Sequence, residues 1–87
     1  MTAVPVTVLV VAKAPIPGLA KTRLAAELGD RKAADIAAAA LLDTLDAVAE
    51  TPVAARVVAL TGDLDAACRA DSIRERLSAF TVVQQRG

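Results

Sequence analysis

The segment VTVLVVAKAPIPG, residues 6–18, decides the fold, because it joins an apolar strand to a loop that ends regular structure. Residues 6–11 are β-branched or aliphatic almost without interruption, a pattern typical of a strand covered on both faces of a parallel sheet. Pro5 can only precede this strand or begin it. Two prolines and Gly18 then exclude both helix and strand, so the sequence predicts a loop over residues 12–20.

Outward from this segment, the pattern alternates between helices and strands. Thr22 is placed to cap a short helix that Gly29 ends, and Asp30 is placed to cap a long alanine-rich helix that reaches Glu50. The remaining elements are a strand over residues 56–60, a turn at residues 61–63, a helix over residues 64–77 with a break near residues 71–72, and a strand over residues 80–84.

The long helix is predicted to carry an apolar stripe and an acidic face. The stripe consists of Ile36, Ala37, Ala40, Leu41, Leu45 and Val48. The acidic residues, which we expect to form a solvated face, are Asp35, Asp43, Asp46 and Glu50.

Alternating strands and helices with short loops predict an α/β fold with right-handed crossovers, a three-layer half-domain of Rossmann type with a parallel sheet in the order 3-2-1. A three-stranded parallel sheet leaves two apolar edges open, which complete proteins avoid. We therefore expect residues 1–87 to be the N-terminal part of a larger domain. The open edge of the first strand predicts self-association, with a homodimer as its product.

Composition excludes several classes of partner. Ten basic and ten acidic residues give a net charge of zero, so no overall field attracts nucleic acid or a membrane, and one aromatic residue provides no platform for stacking bases. No apolar segment is long enough to span a bilayer, and no signal peptide is recognisable. Without histidine, and with the single Cys68 interpreted as a packing residue, the common zinc sites are excluded, and the chain is expected to be cytoplasmic.

A basic site must then be local, and the first 23 residues carry three basic and no acidic side chains. In open parallel sheets, ligands bind at the carboxyl ends of strands, and the loop after the first strand often holds phosphate. A glycine lets the backbone approach such a ligand, amides at a helix start face it, and cationic side chains neutralise it. The candidate phosphate-binding residues are Lys13, Gly18, Lys21, Thr22 and Arg23. The alternative is a solvated surface loop in which Arg23 pairs with Glu27.

The segment VLVVAKAPIPGLAKTRLAAELG, residues 8–29, followed by AAALLDTLDAV, residues 38–48, resembles a bacterial family of glycosyltransferase-A-like (GT-A) proteins. The family is similar in turn to the 2-phospho-L-lactate guanylyltransferases, which share the element AKTRL at residues 20–24. The resemblance implies the nucleotide-binding half of a GT-A fold in a transferase that uses a nucleotide-activated donor. A guanylyltransferase-like nucleotidyltransferase is the alternative enzyme. The third hypothesis is an inactive truncated chain that acts as a dimer or binding module.

On this resemblance, the loop after the first strand holds the diphosphate of a nucleotide or nucleotide-sugar, with Lys13, Lys21 and Arg23 as phosphate ligands. Thr61 and Asp63 would lie near the base or ribose, although Asp63 also suits a plain helix cap. The next active-site loop would begin with Gln84, Gln85 and Gly87.

The resemblance also implies a divalent metal, Mg²⁺ or Mn²⁺, in the complete domain. The sequence of this chain contains no recognisable metal ligands, because DLD at residues 63–65 opens a helix rather than ending a strand. Catalytic residues, the donor sugar or base, and the acceptor are not identified. The chain alone is expected to be inactive.

Overall fold

A computed structural model describes residues 4–19 and 22–85, which form a parallel sheet and helices. The elements in chain order are β1 (Val4–Lys13), α1 (Thr22–Leu28), α2 (Asp30–Glu50), β2 (Val53–Thr61), a 3₁₀ turn (Leu64–Ala66), α3 (Ala70–Leu77) and β3 (Thr81–Gln85). The strands lie in the order β1-β2-β3, which is the predicted 3-2-1 order viewed from the other edge. The predicted α/β class and parallel strand order are therefore confirmed.

The register of the sheet brings the carboxyl ends of the three strands level. Lys13 lies beside Thr61, and Thr61 lies beside Gln85. Side chains alternate between the two faces along each strand, and residues paired side by side in neighbouring strands point to the same face. Lys13, Thr61 and Gln85 therefore share one face of the sheet. The register of β1 against β2 shifts between Val4 and Thr7, which confines the irregular part of β1 to the neighbourhood of Pro5.

Helices α2 and α3 pack against one face of the sheet, here called the covered face. The core on this face consists of Ala12, Ala38, Leu42, Leu45, Val58, Leu60, Ile73 and Leu77. The opposite face, here called the open face, includes Leu9, Val11 and Val83, which are 59%, 69% and 49% exposed. Within residues 4–19 and 22–85, the structure thus supplies two of the three predicted layers, one sheet and the helices on its covered face.

The buried face of α2 differs from the predicted stripe. Its buried residues are Ala33, Ala34, Ala38, Leu42 and Leu45. Only Leu45 belongs to both sets, while Ile36 remains 39% exposed. Helix α2 contacts α1 and α3, and alanines let neighbouring backbones approach closely. The larger side chain of Ile36 was therefore misleading as a marker of the core.

The ends of α2 also differ in part from the prediction. Gly29, at φ +91°, occupies the N-cap, and Asp30 lies in the first turn without capping the helix through its side chain. At the other end, Arg56 of β2 donates hydrogen bonds to the carbonyl oxygens of Val48 and Thr51. Because the last carbonyls of a helix lack partners within the helix, this arginine ties the end of α2 to the sheet.

The chain between β2 and β3 breaks earlier than predicted. The break lies between the 3₁₀ turn and α3, where Arg69 adopts a left-handed backbone conformation with φ +54°. One cause is that the N–H of Cys68 donates to the carbonyl oxygen of Pro15, at 3.0 Å, rather than to the preceding turn. A contact with the loop after β1 therefore sets the break, which local sequence preferences could not reveal.

We expect Leu45→Ala to destabilise the protein far more than Ile36→Ala. Leu45 is fully buried, and truncation of a buried leucine leaves a cavity that costs about 2–5 kcal/mol. Ile36 is partly exposed on the same helix, so its truncation should cost about 1 kcal/mol or less. Urea unfolding of both variants measures the difference. Equal losses would contradict the packing of α2 described above.

Candidate functional site

The candidate site lies at the carboxyl edge of the sheet, where the three strands end. Lys13, Thr61 and Gln85 form one row across β1, β2 and β3 on the side of the open face. The hydroxyl of Thr61 donates to Oε1 of Gln85 at 3.4 Å, and Lys13 is exposed. An ammonium, a hydroxyl and an amide therefore share one surface, which can bind an anionic or polar ligand.

The loop after β1 is fixed to its neighbours by backbone hydrogen bonds. The N–H of Ala14 donates to the carbonyl oxygen of Thr61 at 2.8 Å, and the carbonyl oxygen of Pro15 accepts from Cys68. Both Ala14 and Pro15 are buried. The start of this loop is therefore a packed segment that holds Lys13 in place from its C-terminal side.

The sequence IPGL, residues 16–19, forms a tight turn. The N–H of Leu19 donates to the carbonyl oxygen of Ile16 at 3.0 Å, with Pro17 and Gly18 at the two central positions. Gly18 has φ +88°. Proline followed by a glycine with positive φ is the signature of a type II turn. The sequence therefore predicted correctly that the chain bends here.

Gly62 lets the loops after β1 and β2 approach each other. Its φ is +97°, and a Cβ atom at this position would lie 3.2 Å from Cβ of Ala14 and 3.6 Å from Cδ1 of Ile16. Its carbonyl oxygen accepts a hydrogen bond from Nε2 of Gln84 at 3.1 Å. Gly62 therefore brings together the ends of all three strands. From the sequence, Gly62 was predicted only to form part of a turn.

Of the other candidate phosphate ligands, Gly18 lies in the loop after β1, Thr22 begins α1, and Arg23 follows it with an exposed side chain. Lys21, and Gly87 of the predicted next active-site loop, lie outside the described residues. No hydrogen bond or ion pair within the described part of the chain joins Gly18 or Arg23 to the row of Lys13. The structure thus brings together Lys13, Thr61 and Gln85. Arg23 lies on α1, the helix that follows the loop after β1.

A carboxylate that sequence analysis assigned to capping lies beside the loop. Oδ2 of Asp30 would be 3.6 Å from a Cβ atom on Gly18. A negative charge here opposes the binding of phosphate at the turn itself. The most favourable place for an anion is therefore near Lys13 on the side of the open face, since α2 and Asp30 belong to the covered side.

Asp63 caps the 3₁₀ turn, which is the role that the sequence suggested as an alternative to a contact with the base or ribose. Its Oδ1 accepts from the N–H of Asp65 at 2.9 Å. The carboxylate of Asp65 in turn forms an ion pair with Arg74. These residues line a cavity of about 430 Å³ that also includes Gly62, Leu64 and Gln84.

The carboxylates of this cavity do not fit the implied divalent metal. Asp63 is engaged with the backbone and Asp65 with an arginine, and in residues 4–19 and 22–85 no three metal-ligating side chains come together.

A larger cavity, of about 710 Å³, lies at the start of α2, and its described lining contains none of the predicted phosphate ligands. Its charged residues include Asp35 and Arg69, which form a two-point ion pair with distances of 2.7 Å and 3.0 Å. The hydrogen bond from Arg69 lowers the pKa of Asp35 from its usual 3.8, and Asp35 raises the pKa of Arg69. A second exposed pair joins Asp46 of α2 to Arg76 of α3. Two of the four residues of the predicted acidic face, Asp35 and Asp46, thus pair with arginines while their side chains remain about half exposed.

Comparison of the chain with models of protein families, with curated proteins and with solved structures finds no significant match. The family resemblance therefore rests on the sequence motifs at residues 8–29 and 38–48. Among the described residues, no helix has the length and apolar character required to cross a membrane.

We expect Gly62→Ala to destabilise the protein more than Gly29→Ala. Both glycines have positive φ, which costs a residue with a Cβ atom about 1–3 kcal/mol. Only at Gly62 would the added methyl group also press against Ala14, because nothing lies within 4 Å of the corresponding position at Gly29. Urea unfolding of the two variants checks this. A greater loss for Gly29→Ala would contradict the close approach of the two loops.

The Asp35–Arg69 pair should make stability depend on pH in the acidic range. Because the pKa of Asp35 is lower in the folded state, its contribution is present above pH 3.8 and is lost as the pH falls through the folded pKa. The stability difference between wild type and Asp35→Asn should therefore narrow below pH 3.8.

The control for this measurement is the same substitution in an Arg69→Gln background. There, Asp35→Asn should no longer produce a pH-dependent difference, because the partner that lowers the pKa is gone. Urea unfolding of the four proteins at pH 3 and pH 6 provides the eight free energies of unfolding from which these differences are taken. A difference that persists unchanged without Arg69 would contradict this origin of the pKa shift.

Proposed function

We propose that this chain binds a nucleotide or nucleotide-sugar at the carboxyl edge of its sheet, as the nucleotide-binding half of a GT-A-like transferase that uses a nucleotide-activated donor. The observation that supports the proposal is the row of Lys13, Thr61 and Gln85 beside a fixed loop with a type II turn. This is the edge at which open parallel sheets bind ligands.

The residues at this edge suit the parts of a nucleoside diphosphate. The ammonium of Lys13 supplies a point charge for a phosphate oxygen, and the Thr61 hydroxyl and Gln85 amide can hydrogen-bond to polar groups beside it. Because Ala14 and Pro15 are already packed, little conformational entropy is lost when the ligand binds. The family motif adds Lys21 and Arg23 to this proposal as further cationic ligands of the phosphates.

A nucleotidyltransferase that resembles the guanylyltransferases is the second candidate, and the AKTRL element at residues 20–24 favours it. Both activities place a phosphate chain beside the loop after β1, but they differ in the base of the nucleotide and in the acceptor. A clear preference for guanine nucleotides would favour the nucleotidyltransferase. A cytoplasmic location and the need for a divalent metal in the complete domain belong to the same proposal.

Calorimetric titration with ADP, GDP and UDP tests the proposal directly. We expect weak binding with a Kd of roughly 0.1–1 mM, because the row of Lys13, Thr61 and Gln85 offers the ligand a single ammonium at an exposed edge. Lys13→Ala should weaken binding, and Arg23→Ala should weaken it more than Lys21→Ala, since a guanidinium can hold two phosphate oxygens at once. Raised salt should weaken binding further.

Two further variants make this titration sharper. Arg76→Ala removes one positive charge at the far end of α3, so it should leave the affinity unchanged if the site is local. Asp30→Asn removes the carboxylate beside Gly18 and should raise the affinity. The proposal fails if no nucleotide binds, or if Lys13→Ala and Arg76→Ala have the same effect.

A further inference from the structure

Strand β1 is an edge of the sheet with few of the features that protect edge strands. It is ten residues long and carries one charged side chain, Lys13, at its end. Leu9 and Val11 are among its most exposed side chains, and no strand pairs with its outer side within the described residues. Natural proteins usually protect such edges with charges, bulges or short strands.

The direction of the unpaired backbone groups follows from one hydrogen bond. The N–H of Ala14 donates to the carbonyl oxygen of Thr61. Because the register with β2 is regular from Thr7 onward, the even-numbered residues of this part of β1 also direct their N–H and C=O groups toward β2. Because these groups alternate along a strand, Thr7, Leu9, Val11 and Lys13 direct theirs outward. Their side chains lie on the open face.

One symmetric arrangement pairs all four outward residues. If a second copy lies antiparallel to β1 with the two-fold axis at Val10, Leu9 lies opposite Val11 of the other copy, and Thr7 lies opposite Lys13. Each such pair can exchange both backbone hydrogen bonds. The arrangement also places exposed Leu9 against exposed Val11 and keeps the two lysines apart.

We propose that two copies of this chain associate through antiparallel pairing of β1, with the axis at Val10, to form one continuous six-stranded sheet. The occupant is a second copy because this edge is self-complementary in both its hydrogen-bonding groups and its exposed side chains. The contact is confined to one strand from each copy, so it buries less than about 1,200 Å², the range of weak complexes. We expect a Kd of about 10–100 µM. The proposal does not rest on the proposed function, and it concerns the association of the 87-residue chain itself.

Disulfide cross-linking tests the register, in a Cys68→Ser background. At the axis, Val10 faces Val10 of the second copy with Cα atoms about 4.5–5.5 Å apart, within the reach of a disulfide. Val10→Cys should therefore form a covalent dimer on mild oxidation. Val8→Cys is the matched control, since its two copies would lie about 13 Å apart. A cross-link through Val8 but not Val10, or through neither, would overturn the proposed pairing.

A charge exchange tests specificity by analytical ultracentrifugation at high micromolar concentration. Leu9→Lys/Val11→Lys and Leu9→Glu/Val11→Glu should each be monomeric, because like charges would face each other across the axis. Mixing the two variants should restore the dimer, since opposite charges then face each other. Val83→Lys, on the open face of β3, should still dimerise.

Circular dichroism confirms that each variant is folded before its mass is interpreted. A wild-type chain that remains monomeric overturns the proposal. Open-ended aggregates of the wild type, or a mixture of the two charged variants that stays monomeric, would also overturn the proposal. If nucleotide binding fails while the dimer forms, only the proposed function is lost.

Discussion

Parallel strands cannot be joined by tight turns, and this constraint organises the molecule. Each connection must carry the chain back along a face of the sheet, and both of the connections here pack helices on the same face. The consequences are a core between β2 and two helices, an open face on the other side, and three strand ends at one edge. The candidate site and the proposed dimer contact both arise from this asymmetry.

The packing of the covered face depends on small residues. Ala34 and Ala38 are fully buried on α2, and they allow this helix to lie close to its neighbours. Larger side chains complete the core from α3 and the central strand, with Ile73 and Val58 fully buried. Ion pairs between α2 and α3 add little at their exposed positions, so apolar packing holds the helices in place.

The parts of the fold that depend on local preferences could be predicted from the sequence. The apolar run of β1, the Pro-Gly turn at Gly18 and the end of α1 before Gly29 are examples, because short-range sterics determine each of them. The break before α3 could not be predicted, since it depends on a hydrogen bond between Cys68 and Pro15. The ion pair of Asp35 could not be predicted either, since its partner Arg69 lies 34 residues away in the sequence.

The candidate site shows the same division. From the sequence, a basic residue near the end of β1 and a tight turn after it could be predicted, because strand and turn signals are local. It could not reveal that Asp30 lies beside Gly18, or that Gly62 packs against Ala14, because both contacts join distant segments. These contacts matter for chemistry, since the carboxylate makes the turn itself a poor place for phosphate and leaves Lys13 as the better one.

The two proposed surfaces meet at Lys13 and are compatible there. In the proposed dimer, the backbone of Lys13 pairs with Thr7 of the second copy, while its side chain stays on the open face beside Thr61 and Gln85. A phosphate bound to the ammonium would therefore not compete with the strand pairing. The two sites of a dimer would lie at opposite ends of the paired strands, because antiparallel pairing places each Lys13 next to the start of the other strand.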